Sequence, residues 1–241
     1  MRVRSRLVLA AALLSAFTLG TPVPGQNRME LHLVLAFDVS ASVNDVEFDL
    51  QRSGTADALR SDLVAAAIDR APGGVAIAIV QWSSRTRQAL GMDWVELHDM
   101  RDVATYADRV DAMPRRLPGG GTMIHSGLEF AARMLEAAPG YAHRQVIDIA
   151  GNGRTDDEKR LRETRAKLLS EGIVINGLAI EEDAASLTRY FEAYVIGGQN
   201  AFVITADDFD DFADAMEAKL LREISGAVFS MWHDKSIAPV R

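Results

Sequence analysis

Residues 31–42 read Leu-His-Leu-Val-Leu-Ala-Phe-Asp-Val-Ser-Ala-Ser, an apolar run that stops on a carboxylate followed by two alternating hydroxyls. A near-continuous apolar run suits a strand buried on both faces, which is the condition of strands inside a parallel sheet. Residues 75–82, 146–150 and 173–180 repeat the pattern, and 201–205 form a weaker fifth run. Between the runs, apolar residues recur at helical spacing: Val46, Leu50, Leu59, Leu63 and Ala67, then Ile124, Leu128, Ala131 and Leu135. The pattern also predicts helices over 99–112, 156–170, 183–194 and 207–224, the last with Phe209, Phe212, Met216, Leu220 and Ile224 on one face.

Strands that alternate with helices build right-handed βαβ units. The expected fold is therefore α/β: a three-layer, doubly wound, mostly parallel sheet of the Rossmann-like kind. Residues 87–98 leave no room for a helix after the second strand, so 88–94 read as one antiparallel edge strand. With 241 residues, 48% hydrophobic and 25% charged, the chain has ordinary globular composition. No linker or repeat divides it, so one domain is expected over 29–227, with a tail over 228–241.

The first 26 residues stand apart. Arg2, Arg4 and Arg6 precede an apolar stretch at 7–19 and a Pro/Gly break at 20–26, the layout of a secretory signal peptide. That stretch is short for a membrane span, and none is expected after cleavage. Three of the 26 basic side chains lie in this leader, so the exported chain would carry 23 against 34 acids, net −11. An acidic periplasmic or secreted protein is expected, and nucleic acid is excluded as a partner. The absence of cysteine excludes disulfides, thiolate metal sites, iron–sulfur clusters and thiol nucleophiles. Any metal must be held by oxygen or imidazole.

Three loops fall where ligands bind in an open parallel sheet, beyond the carboxyl ends of strands. The first is Asp38-Val39-Ser40-Ala41-Ser42, whose alternation turns one carboxylate and two hydroxyls to one side of a tight turn. A hard cation such as Mg²⁺ takes about six oxygens of this kind. Helix capping is the competing use, since Ser40, Ser42, Asn44 and Asp45 all suit an N-cap. The second loop is Pro118-Gly119-Gly120-Gly121-Thr122, in which Thr122 can cap the next helix or offer a hydroxyl to a metal. It lacks the lysine of a phosphate-cradling G-x-x-x-x-G-K-[ST] loop. The third runs from Asp148 to Asp157, with Gly151 and Gly153 flanking Asn152.

Together these loops resemble the metal-ion-dependent adhesion site (MIDAS) of von Willebrand factor type A (vWA) domains. In that family D-x-S-x-S follows the first strand, a threonine comes from a glycine-containing loop, and an aspartate follows the fourth strand. Asp38, Ser40 and Ser42 match the first element, Thr122 the second, and Asn152 stands at the third. The stretches LQRSGTADALRS (50–61), VIDIAGNGRTDD (146–157), INGLAI (175–180) and YVIGGQNAFVITADDFDDFADAMEAKLLREI (194–224) are similar to a bacterial group of exported single-domain proteins of unknown function. The resemblance implies a non-enzymatic module that binds Mg²⁺ or Mn²⁺, completed by an acidic side chain of a partner protein. Asn152 in place of aspartate removes one negative charge and implies weaker metal binding. Asp148 could compensate by pointing toward the loop, as could Asp156 or Asp157, which are better read as the first turn of the next helix.

Two other functions compete. A strand-end aspartate and a later Gly-Asn-Gly-x-x-Asp turn also occur in haloacid-dehalogenase-like phosphotransferases, which would make Asp38 a nucleophile. Their first motif requires an aspartate where this chain has Ser40, and no lysine lies between Thr122 and Asn152. A metal-free vWA scaffold is the other alternative. His32, His98, His125, His143 and His233 show no pairing at ligand spacing and read as surface or core residues. Asn176 reads as a hydrogen-bonded core residue, Trp82 and Trp94 as packing, and Arg115 and Arg116 as a solvated loop able to meet an acidic partner.

Overall fold

A computed structural model describes residues 28–182 and 186–226. The expected leader at 1–26 and tail at 228–241 lie outside the described residues, as does the start of the helix expected at 183. Six strands form one sheet: β1 (Arg28–Asp38), β2 (Val75–Trp82), β3 (Gln88–Leu97), β4 (Tyr141–Gly151), β5 (Val174–Ile180) and β6 (Val203–Ala206). Their order is β3-β2-β1-β4-β5-β6. All neighbours pair in parallel except β2 with β3, so the single antiparallel strand lies at an edge as its sequence requires. The helices are α1 (Asp45–Arg60), α2 (Asp62–Asp69), α3 (Met100–Asp111), α4 (Ile124–Glu136), α5 (Glu158–Ser170), α6 (Leu187–Tyr190) and α7 (Phe212–Ser225).

Side chains alternate across the central strands and feed two cores, as the pleat dictates. Leu31, Leu33, Leu35 and Phe37 meet α1, α2, α3 and α7 on one face, where Leu59, Tyr106, Phe212 and Leu220 are buried. Val34, Ala36, Ile147 and Ile149 meet Leu128, Leu161 and Phe191 on the other. Trp82 belongs to the second core and donates from its indole to Ala36 O at 3.2 Å. Trp94 donates to Met134 O. Both tryptophans therefore serve packing.

Two helical readings are corrected. The apolar series from Val46 to Ala67 is not one stripe: Ser61 ends α1 with extended backbone (φ −56°, ψ 133°) and its hydroxyl caps α2. The break resets the helical phase, leaving Val46 and Leu63 at 69% and 63% exposure. Phe48, Gln51, Thr55 and Leu59 form the buried face of α1 instead. The helix expected over 183–194 is the short α6, which widens into a π-helical turn over Phe191–Val195.

Candidate metal centre

Parallel strands β1 and β4 lie side by side and end together, which carries their following loops to one edge of the sheet. Asp38 is the last residue of β1 and is fully buried. Its Oδ1 accepts from the backbone N–H of Ser40 at 2.7 Å, which tightens the turn and leaves Oδ2 buried without a partner. A methyl group added at Gly151 would come within 3.2 Å of Oδ2, so the β4 end closes over that oxygen. Burial pushes the Asp38 carboxyl up to about 6, opposed by hydrogen bonds from Ser40 and by the Arg115 charge.

The hydroxyls of Ser40 and Ser42 lie 3.1 Å apart, and Ser42 Oγ donates to Asn152 Oδ1 at 2.7 Å. Asn152 Nδ2 donates back to Ser42 O at 3.2 Å, which turns the amide carbonyl toward the serines. Capping makes no claim on either serine: Asn44 caps α1 in a capping box with Glu47. Four of the five residues singled out by sequence thus form one connected cluster.

Thr122 reaches the same edge through backbone contacts. Ala41 N donates to Gly120 O, and Met123 N to Ser83 O. No side chain caps α4, so the Thr122 hydroxyl is not spent there. A methyl group on Gly153, next to Asn152, would lie 3.7 Å from Thr122 Oγ1. The triple glycine is required by close approach: a Cβ on Gly119 would meet Ala41 Cα at 3.1 Å, and one on Gly121 would meet Asp156 Oδ2 at 2.7 Å.

The three fallback carboxylates take three different places. Asp157 is the N-cap of α5, accepting from Arg160 N. Asp156 precedes that helix and folds back, accepting from Thr122 N at 2.9 Å while its own N–H donates to Thr122 O. Asp148 points away from the loop, into the core under α7. There Lys219 Nζ lies 3.0 Å from Asp148 Oδ1 and 3.4 Å from Glu223 Oε1, and all three side chains are buried. Asn176 donates to Glu223 Oε1 and accepts from Phe202 N, the core role its strand position requires. Burial raises the Asp148 carboxyl, and Lys219 opposes that rise.

Sequence reasoning missed the part played by Arg115. It donates from Nη2 to Val39 O and Val43 O, from Nε to Leu117 O, and pairs with Asp45 through Nη1. One guanidinium therefore straps the serine loop to the segment before the glycines. Its fixed fork of donors suits that task as a lysine would not.

Among the described residues no three His, Asp or Glu side chains gather to hold a metal. The oxygens at this edge are one buried carboxylate, hydroxyls and an amide carbonyl, a hard donor set with one formal charge. They fit a hard divalent cation, and the unpartnered Asp38 Oδ2 is the atom that asks for one.

Residues 28–228 match the profile of the family described as "Protein of unknown function (DUF1194)". The chain belongs to that family. No curated protein matches the DUF1194 chain by sequence. Its fold is that of a vWA domain, as solved structures show. Proximal thread matrix protein 1 from the mussel byssus, with a zinc-occupied MIDAS motif, is 18% identical with a TM-score of 0.57, over 83% of this chain and 47% of that one. The DUF1194 chain thus spans about half the length of the mussel protein. The vWF domain of the type V pili tip protein Mfa5 from Porphyromonas gingivalis is 11% identical with a TM-score of 0.56, over 89% and 99% of the two chains. A von Willebrand factor type A protein from Catenulispora acidiphila is 15% identical with a TM-score of 0.57, over 81% and 43%.

Proposed function

We propose that this chain is an exported, periplasmic or secreted adhesion-type module. It binds a partner protein through Mg²⁺ or Mn²⁺ held by Asp38, Ser40, Ser42, Thr122 and Asn152. The observation that carries the reading is Asp38 Oδ2, a buried carboxylate oxygen with no hydrogen-bond partner, on a residue linked to a connected row of hydroxyl and amide oxygens. A bound divalent cation would supply a Lewis-acidic position that an acidic side chain of the partner completes.

Asp38 acts as ligand and not as nucleophile in this reading. The nearby cation Arg115 is engaged with backbone carbonyls, and Lys219 is buried with Asp148 and Glu223, so neither is free to hold a transferring phosphoryl group. The mussel thread matrix protein and the pili tip protein share this fold, and a binding module is in keeping with such settings.

Thermal unfolding against MgCl₂ and MnCl₂ tests the proposal, because a ligand of the native state raises stability as RT ln(1 + [L]/Kd). The expected result is a concentration-dependent rise in Tm that Asp38→Ala abolishes. A rise that survives in Asp38→Ala places the cation elsewhere. Turnover of an aryl phosphate that disappears in Asp38→Asn would promote the phosphotransferase.

A further inference from the structure

Beside the serine loop lies a groove of about 650 Å³, lined by Ala41, Val43, Asp45 and the segment 115–119. Ala41 lies between Ser40 and Ser42 in the chain, so the groove adjoins the loop that carries the hydroxyl cluster. The two arginines in it are not alike. Arg115 is committed to three backbone carbonyls and to Asp45, the one acid of the lining. Arg116 is held only by its backbone, whose N–H donates to Gln81 Oε1 at 2.7 Å, and its exposed guanidinium has no ion pair among the described residues. Arg87 adds a second cation at the rim by donating to Gly119 O.

A local excess of guanidinium groups in a chain of net charge −8 runs against its overall field. Exposed acids dominate elsewhere and repel polyanions, which leaves a local carboxylate as the suitable ligand. A planar guanidinium fork matches a carboxylate with two parallel hydrogen bonds.

We propose that this groove takes a second carboxylate of the partner, bound by Arg116. The partner is then a protein segment with at least two acidic side chains, one at the cation and one in the groove. The inference rests on the cation reading of the adjoining cluster and extends it to the sequence character of the partner.

Fluorescence anisotropy of a labelled, otherwise neutral peptide carrying two glutamates, titrated with the chain, provides the test. Binding is measured in Mg²⁺ and in EDTA, for the parent, Arg116→Ala, Arg116→Glu and Asp38→Ala, with a Mg²⁺ thermal shift on each. Arg116→Ala should weaken binding about fivefold, the size of one rim ion pair. Arg116→Glu should weaken it further, while both variants keep the Mg²⁺ shift. Unchanged affinity in Arg116→Glu, or no binding by the parent, overturns the groove even where the Mg²⁺ shift stands. Arg116-dependent binding that persists in EDTA, with no Mg²⁺ shift in the parent, supports the groove and removes the cation reading. Tighter, Arg116-dependent binding of oligothymidylate than of the two-glutamate peptide overturns the acidic-protein partner.

Discussion

The Ser42 hydroxyl donates to Asn152 Oδ1 at 2.7 Å, joining positions 110 residues apart. With the return bond from Asn152 Nδ2 to Ser42 O, the amide is fixed at both ends. Asparagine therefore satisfies its neighbours without a cation, which an aspartate at the same place could not do.

Replacing Asn152 with Asp keeps the Oδ1 acceptor and loses the Nδ2 donation. In EDTA the variant should be less stable by about 1–3 kcal/mol, the cost of an unmatched buried polar group. In Mg²⁺ the added charge should tighten binding by about tenfold or more. Thermal shift across a MgCl₂ series reads both. A metal response equal to that of the parent would remove Asn152 from the ligand set.

The buried Asp38 carboxyl gives a pH dependence of definite sign. Its folded-state value is raised from 3.8 to about 6, so ionisation opposes folding. That penalty is fully present above about pH 6 and is relieved as pH falls from about 6 toward 3.8. Without metal, Asp38→Asn should therefore be more stable than the parent at pH 7.5, by about 3 kcal/mol, and the gap should narrow at pH 5. The Mg²⁺ response of the parent should shrink over the same fall, because protons compete for the carboxylate. Urea unfolding at the two pH values measures the first effect, and an Asn variant less stable than the parent at pH 7.5 in EDTA would refute it.

Under α7, removal of the one buried cation should be costly. Lys219→Met leaves Asp148 and Glu223 buried and facing each other, and should destabilise the fold by about 3–5 kcal/mol. Lys219→Met combined with Asp148→Asn should recover much of that loss, since Glu223 keeps its bond from Asn176. Urea denaturation of the single and double variants decides it. A double variant no better than the single would mean that the side-chain packing of Lys219, and not its charge, holds the helix.

Glycine substitutions separate close approach from open space. Gly119→Ala puts a methyl 3.1 Å from the Ala41 backbone, so it should push the serine loop outward and weaken the Mg²⁺ response. Gly153→Ala meets Thr122 at 3.7 Å, an ordinary contact, and should leave the response nearly intact. Equal responses in the two variants would show that the glycine loop does not position the cluster.

The strands were legible because burial on both faces writes itself as continuous apolar runs, and the edge strand because 87–98 is too short to hold a helix. Helix phase was less legible. Val46, Leu59 and Leu63 do not themselves announce the break at Ser61, where the hydroxyl caps α2 and starts a new helix. At the candidate site the alternation from Asp38 to Ser42 singled out residues that lie together in the fold, while the fate of the flanking acids was hidden. Asp148 is separated from Asn152 by four positions, but the pleat sends its side chain to the α7 face, where Lys219 meets it. Asp156 and Asp157 are neighbours of one chemical type, and only the path of the loop assigns one to Thr122 and the other to the helix cap. Arg115 carried no motif at all, because its partners are backbone carbonyls.

The central position of β1 sets the order in which this chain can become a sheet. β1 comes first in sequence among the strands and lies in the middle of the sheet, with Arg28 in register with Tyr141 across more than a hundred residues. One of its edges can be met early by β2, and the other stays open until β4 exists. A chain emerging from a ribosome, or threading through a translocation channel, therefore cannot complete its core until residue 151 has appeared, because non-local pairing must wait for its partner. The same placement that brings the β1 and β4 loops together thus holds the growing chain unfinished through most of its length.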